Sequence, residues 1–194
     1  MKFAKDEGSS FLHIVIVWVM FAIAIIVTIY VYTMSLTSTV KTQIENDLSV
    51  ANLSAATIDI QHYTDTGKFV LIDVRKAYSD FIYTFRVNMG LEDKGNNLFD
   101  PEIGSYFEGI ISNISVINFT VYNIDGNIIT VDSYNVGSNV VSSMEYSNKQ
   151  VFTPDGVNVD SPTVYSQVAV TLTLPGHVTK TVTRENSVAV IFNK

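Results

Sequence analysis

Between Phe11 and Met34 the chain reads FLHIVIVWVMFAIAIIVTIYVYTM, and in that run only His13 ionises near neutral pH. No other stretch limits the possible folds so strongly. As a helix, about 24 residues at about 1.5 Å of rise extend roughly 36 Å, enough to cross a hydrocarbon core of about 30 Å with some tilt. A buried core helix and the apolar part of a cleaved secretory signal are the two other readings, and both fit poorly. A signal's apolar region is about 7–15 residues long and ends at a small-residue cleavage site. Ala22-Ile23-Ala24 has that pattern, but the apolar run continues through it to Met34. A membrane-spanning helix is therefore expected.

No Gly or Pro occurs between Gly8 and Gly67, so both strong helix breakers are missing from that whole interval. Beyond Met34, apolar residues recur every third or fourth position as Leu36, Val40, Ile44, Leu48, Ala51, Ala55 and Ile58, which is helical periodicity. Thr37, Lys41, Gln43, Glu45, Asn46 and Asp47 occupy the opposite face, so this second half is amphipathic where the first is apolar all round. One helix from about Ser10 to Ile60 would measure roughly 75 Å. A helix of that kind needs neighbours, and Val15, Val19, Ala22, Ile26, Leu36, Val40, Ile44 and Leu48 are the expected packing positions.

The chain has 194 residues, a formal net charge of −7 and no cysteine. Once the leader and helix are set aside, about 130 residues remain, which suits one small domain. Acidic balance argues against a nucleic-acid partner, because affinity for phosphates rests on clustered Lys and Arg. Without cysteine there are no disulfides, thiolate metal sites or Cys nucleophiles, and a head domain outside the cell must fold by burial alone.

Met1 to Gly8 (MKFAKDEG) carries Lys2 and Lys5 ahead of the apolar run, and the next basic residue is Lys41. The positive-inside bias then places the N-terminus in the cytoplasm and the rest of the chain outside. A short basic leader ending in Gly8, a break before an apolar run, a helix passing from membrane to amphipathic, and a mostly β C-terminal region together resemble a prepilin of the type IV filament superfamily. Size and layout are most similar to the tight-adherence (Tad) pseudopilins. The resemblance implies cleavage between Gly8 and Ser9 by a membrane-embedded prepilin peptidase, and assembly with other pilin-like subunits. It also implies Glu at the fifth mature position, where it pairs with a neighbour's free N-terminal amine. His13 stands there instead; a neutral His accepts that hydrogen bond but supplies no negative charge.

Further along, Gln61 to Gly67 (QHYTDTG) reads as a polar link ended by Gly67. Asp73 suits a helix N-cap, Val74, Ala77, Tyr78, Phe81, Ile82, Phe85 and Met89 follow at helical spacing, and Gly90 sits where a left-handed C-terminal cap is wanted. The stripe of Tyr78, Phe81 and Phe85 reads as core, with a binding surface as the alternative. Leu91 to Gly109 reads as loop. Ser115 to Tyr122 and Ile128 to Val131 flank the turn signal Asp125-Gly126, so a hairpin is expected there. Asp132 to Ser161 is Ser- and Asn-rich and reads as a long loop. Val164 to Leu174 alternates, with Val168, Val170, Leu172 and Leu174 on one face, and Lys180 to Asn193 forms a final strand after Pro175-Gly176. The expected class is α+β, in three regions: a leader at 1–8, a long helix at 9–61 spanning the membrane at 11–34, and a head at 62–194 with a helix packed on an antiparallel sheet.

Chemistry is sparse. His13, His62 and His177 are too far apart for a metal-binding motif, and no cofactor is implied. Asp155 to Asp160 (DGVNVD) invites a calcium reading but lacks the spacing and distal Glu of an EF-hand loop, so turn chemistry explains it better. No phosphate-cradling loop and no nucleophile elbow occurs, and an enzyme is not expected. Asn52, Asn113 and Asn118 each open a glycosylation-type triplet, a pattern common by chance in an Asn-rich chain. Two readings remain: a pilin-like structural subunit packing through its N-terminal helix, and a permanent single-pass anchor carrying an extracytoplasmic binding or sensor domain. The unbroken helix favours the first, His13 the second.

Overall fold

A computed structural model of the chain describes residues 6 to 176 and 178 to 191. Lys2, Lys5 and His177 therefore lie outside the described residues. The chain divides into two units, Met1–Lys41 and Thr42–Lys194.

Helix α1 runs unbroken over Asp6–Ala55. The break anticipated at Gly8 is absent, since the helix passes straight through that residue. The far end is also shorter than the sequence suggested: α1 stops at Ala55, not Ile60. Beyond it Thr57 and Ile58 take part in a short antiparallel contact, with Ile58 opposite Leu71, Asp59 N–H on Val70 O at 2.9 Å and Ile72 N–H on Thr57 O at 3.0 Å. β-Branched residues suit that extended pairing, and it outweighs one more helical turn.

The expected polar link is itself a short helix, α2 (Ile60–Thr66). Asp59 caps it by accepting from His62 N–H at 2.9 Å, and Gly67 closes it at φ 71°, donating to Tyr63 O. Helix α3 (Val74–Met89) forms as the spacing demands, with the Asp73 carboxylate accepting from Arg75 N–H at 2.8 Å and Gly90 at φ 59°. Val74, Ala77, Phe81, Phe85 and Met89 are its buried face.

Among the described residues, seven antiparallel strands make one sheet: β1 (Leu91–Asp93), β2 (Leu98–Pro101), β3 (Ile111–Asp125), β4 (Ile128–Asn135), β5 (Val140–Ser147), β6 (Thr163–Leu174) and β7 (Val178–Ala189). The long β3 is central. One of its edges carries β2 near Ile114 and β4 from Phe119 onward; the other carries β6, which in turn pairs with β7. Gly126 and Asn127 connect β3 to β4, and Gly126 at φ 60° supplies the positive φ of a tight hairpin turn.

Two stretches expected to be loops hold strands. Leu91 to Gly109 contains the β1–β2 hairpin, turned by Gly95, Asn96 and Asn97 at positive φ. Asp132 to Ser161 contains the end of β4 and all of β5, in unbroken register from Ile128 opposite Ser147 to Asn135 opposite Val140. Ser and Asn pair in these strands because most of their side chains lie at exposed positions where packing asks little of them.

Both faces of the sheet are covered in part. On one face Phe119 meets Phe81 at 5.2 Å and Tyr78 at 5.4 Å between ring centroids, so α3 lies directly over β3. The Thr42–Ala55 part of α1 shares that face, where the Asn52 amide donates to Asn186 O at 2.8 Å and Glu45 lies 3.7 Å from Arg184. On the other face Tyr122, Ile129, Val159 and Tyr165 form a second cluster, roofed by the segment between β5 and β6. Thr153 braces that roof, donating to Asp155 Oδ1 at 2.5 Å and accepting from Val157 N–H at 3.0 Å, while Ser187 donates to Asp155 Oδ1 at 2.6 Å. Asp155 thus serves a turn, in line with the turn reading of DGVNVD.

These tyrosines make the head sensitive to alkali. Burial, reinforced by the Asp155 carboxylate and the neighbouring Tyr146, pushes the Tyr122 phenol up to about 12. Burial and a hydrogen bond donated to Glu185 raise Tyr165, and burial beside Tyr134 and Asp93 raises Tyr78. A folded-state pKa above the unfolded one means the folded head holds the proton longer. The resulting stability is fully present below about pH 10, the ordinary tyrosine value, and is lost as pH climbs through 12. Urea unfolding at stepped pH should show the midpoint flat from pH 7 to 9 and falling steeply above 10. The absorbance of these three phenolates should appear only as the head unfolds.

Candidate functional site: the apolar surface of the N-terminal helix

Described by itself, the N-terminal unit is a single helix. From Phe11 to Met34 the large apolar side chains are exposed, Val15, Val19 and Ile26 among them, as is Ala22. Two hydroxyls on this segment bond back within the helix: Thr28 donates to Ala24 O and Thr33 to Ile29 O, each at 2.8 Å. Back-bonding of this kind satisfies a hydroxyl within its own helix, as hydrocarbon surroundings require. Leaving one large apolar side chain in water rather than burying it costs about 1.5–3 kcal/mol, so a run of this length must be covered by lipid or by protein. Its length and composition are enough to cross a membrane, and the chain is compatible with a single-pass membrane protein.

The packing positions expected along the helix divide. Val15, Val19, Ala22 and Ile26 lie on the exposed surface, Leu36 is half-buried, and Val40 is buried. Ile44 and Leu48 are 1% and 0% exposed, inside the Thr42–Lys194 unit together with Ala51 and Ala55. Ile44 and Leu48 are therefore packed within this chain's own Thr42–Lys194 unit. Within that unit the Thr42–Ala55 part of α1 meets the sheet through Asn52 and Glu45 and α3 through Ser54, whose hydroxyl lies 3.2 Å from Asp80 O.

His13 stands on the exposed surface beside Ile14, Val17 and Trp18, around a shallow depression of about 210 Å³. Gly8 and Ser9 lie in the opening turns of α1. His62 sits in α2, within the other unit from His13. Among the described residues no three His, Asp or Glu groups gather closely enough to hold a metal ion. Asn52 is fully buried in the folded head, and Phe81 and Phe85 stack in the core at 5.7 Å. The aromatic stripe is packing, not a recognition surface.

One feature of the head escaped the sequence. An open cleft of about 800 Å³ lies between Phe69, Ile124, Asp125, Ser161, Pro162 and Ile191. At its rim Lys68 pairs with Asp125 at 2.7 Å, and both remain about half exposed. These residues come from four separate segments, and no sequence spacing links them. The pairing neutralises both charges, leaving a mixed apolar and polar groove.

Comparison with protein-family models, with curated proteins and with solved structures returned no match to this chain.

Proposed function

We propose that the chain is a pilin-like structural subunit, held in the membrane by Phe11 to Met34 with its N-terminus in the cytoplasm and its α+β head outside, and packing with other pilin-like subunits through the apolar surface of α1. The observation that carries this reading is the continuity of α1: one helix is exposed and apolar over its first half and enters the head's core over its second. A simple anchor has no need of a helix that continues into the head, whereas a subunit that leaves the bilayer for an assembly must carry its head along with the helix. Lipid covers the apolar surface before assembly and neighbouring helices cover it afterwards; at about 25 cal/mol per Å² this burial is the dominant favourable term. With Ile44 and Leu48 taken up by the head, Val15, Val19, Ala22 and Ile26 remain for neighbours. Processing by a prepilin peptidase between Gly8 and Ser9 belongs to the same proposal.

His13 favours a second reading, a permanent single-pass anchor whose head binds a ligand, with the cleft beside Lys68 as its site. One experiment separates them. In a chain without native cysteine, Ser143→Cys should react with a membrane-impermeant thiol reagent on intact cells, and Lys5→Cys should not. Intact mass of the membrane-extracted protein should show loss of residues 1 to 8, and Gly8→Val should block that loss. Labelling with the reverse pattern ends both readings, and a full-length chain from cells with an active prepilin peptidase leaves the anchor standing.

A further inference from the structure

The sheet has an unguarded edge. Strand β5 pairs along its whole length with β4 in unbroken register, and among the described residues no strand pairs with its other side. Proteins usually protect such edges with short strands, charges, Pro, bulges or a covering element. The other two edges follow that rule. Strand β1 has only three residues and carries Glu92 and Asp93, while β7 carries Lys180, Arg184 and Glu185 and has α1 at its far half through Asn52 and Arg184. Strand β5 (VVSSMEYS) has one charge, no Pro and no bulge, and exposes Val140 (55%) and Met144 (58%).

We propose that this edge joins a second copy of the chain, β5 against β5 in antiparallel register about a two-fold axis at Ser143. Only an extended strand satisfies a row of backbone donors and acceptors, and the sequence of β5 complements itself. Antiparallel partners must point their side chains to the same face, so a two-fold axis normal to the sheet must pass through a residue that faces its own copy. Placing Ser143 there sets Val140 opposite Tyr146 of the second copy, Ser142 opposite Met144, and Val141 opposite Glu145.

Each of those pairings is favourable or neutral. Val140, Met144 and Tyr146 share the face on which Tyr122, Ile129 and Tyr165 cluster, and Tyr146 already packs against that cluster. The paired strands would extend this apolar stripe from one copy into the other and cover both exposed apolar side chains. The two Glu145 carboxylates would lie four residues apart along the strands, roughly 13 Å, beyond the screening length of about 8 Å at physiological salt. An axis at Met144 instead would set Val140 against Asn148, outside the strand, and leave it uncovered.

A single strand pair buries well under the roughly 800 Å² per partner of a stable interface, so the contact is weak and reversible alone. It becomes populated when membrane attachment or assembly concentrates the copies. It does not depend on leader cleavage and stands for either reading of α1.

Disulfide trapping of the full-length chain reconstituted in lipid vesicles, where membrane attachment concentrates the copies, tests it. Under mild oxidation Ser143→Cys should give a covalent dimer at least tenfold above Thr179→Cys, a control on the β7 edge. Adding Met144→Lys to the Ser143→Cys chain should cut that yield at least tenfold, with circular dichroism and melting temperature unchanged. Equal trapping at positions 143 and 179, or trapping indifferent to Met144→Lys, overturns the proposal. Should Met144→Lys disturb the fold, Glu145→Pro, which removes a backbone donor from β5, replaces it with the same expected loss.

Discussion

Phe81→Ala should destabilise the head by about 3–5 kcal/mol, the usual cost of truncating a fully buried aromatic. Phe81 is 0% exposed and stands where three rings converge, with Phe85 stacked at 5.7 Å, Phe119 at 5.2 Å and Tyr78 at 6.2 Å. Phe85 and Tyr78 share its helix, while Phe119 belongs to β3, so the cavity left by the missing ring would open at the junction of the two layers. Collapse around it is restrained on both sides, by the helix backbone and by a strand hydrogen-bonded along both edges. Against a total stability of about 5–15 kcal/mol for a domain with no disulfide, that loss is a large fraction. At about 2–4 °C per kcal/mol for a domain of this size, the melting temperature should fall by roughly 6–20 °C, as read by circular dichroism of the chain in detergent. A variant that melts like the parent would show that Phe81 is not a core residue.

The second large effect concerns where the head begins. A fragment starting at Gln61 leaves out Ile44, Leu48, Ala51 and Ala55, all buried in the Thr42–Lys194 unit, and also Asn52, whose amide binds the Asn186 carbonyl. Burial of Ile44 and Leu48 alone is worth about 1.5–3 kcal/mol each, and their removal would uncover apolar surface on the sheet and α3 as well. The sum approaches the whole stability of a small domain. The fragment 61–194 should therefore show no cooperative melt and should bind a hydrophobic dye, whereas 42–194 should unfold in one sharp transition. A cooperative melt from the shorter fragment would mean that α1 is dispensable to the head, and the proposed function would lose the observation it rests on.

Much of this was legible because it is local. The apolar run, the α3 stripe bounded by Asp73 and Gly90, the Asp125-Gly126 turn and the alternation of β6 each write their structure within a dozen or so neighbouring residues. Their period or cap chemistry allows one backbone conformation. Where the local signal was weak the reading failed: Gln61 to Gly67 looked like a link although Asp59 and Gly67 are both helix caps, and the Ser- and Asn-rich stretch after Asp132 looked like loop. Strand β5 has almost no alternation because most of its residues on both faces are exposed, and a strand in that position is defined by the hydrogen bonds of β4.

By itself the sequence determined that a helix long and apolar enough for a membrane precedes an α+β domain, since hydrophobic length and periodicity are properties of the chain alone. Only the tertiary structure decided what the second half of that helix packs against. Ile44 and Leu48 present the same stripe whether they meet another subunit or the chain's own sheet, because the hydrophobic effect is non-directional and rewards any cover equally. The same holds for the Lys68–Asp125 cleft and the open edge of β5. Both arise from segments far apart in sequence, and both exist only once strand order has set which residues become neighbours and which backbone groups are left without one.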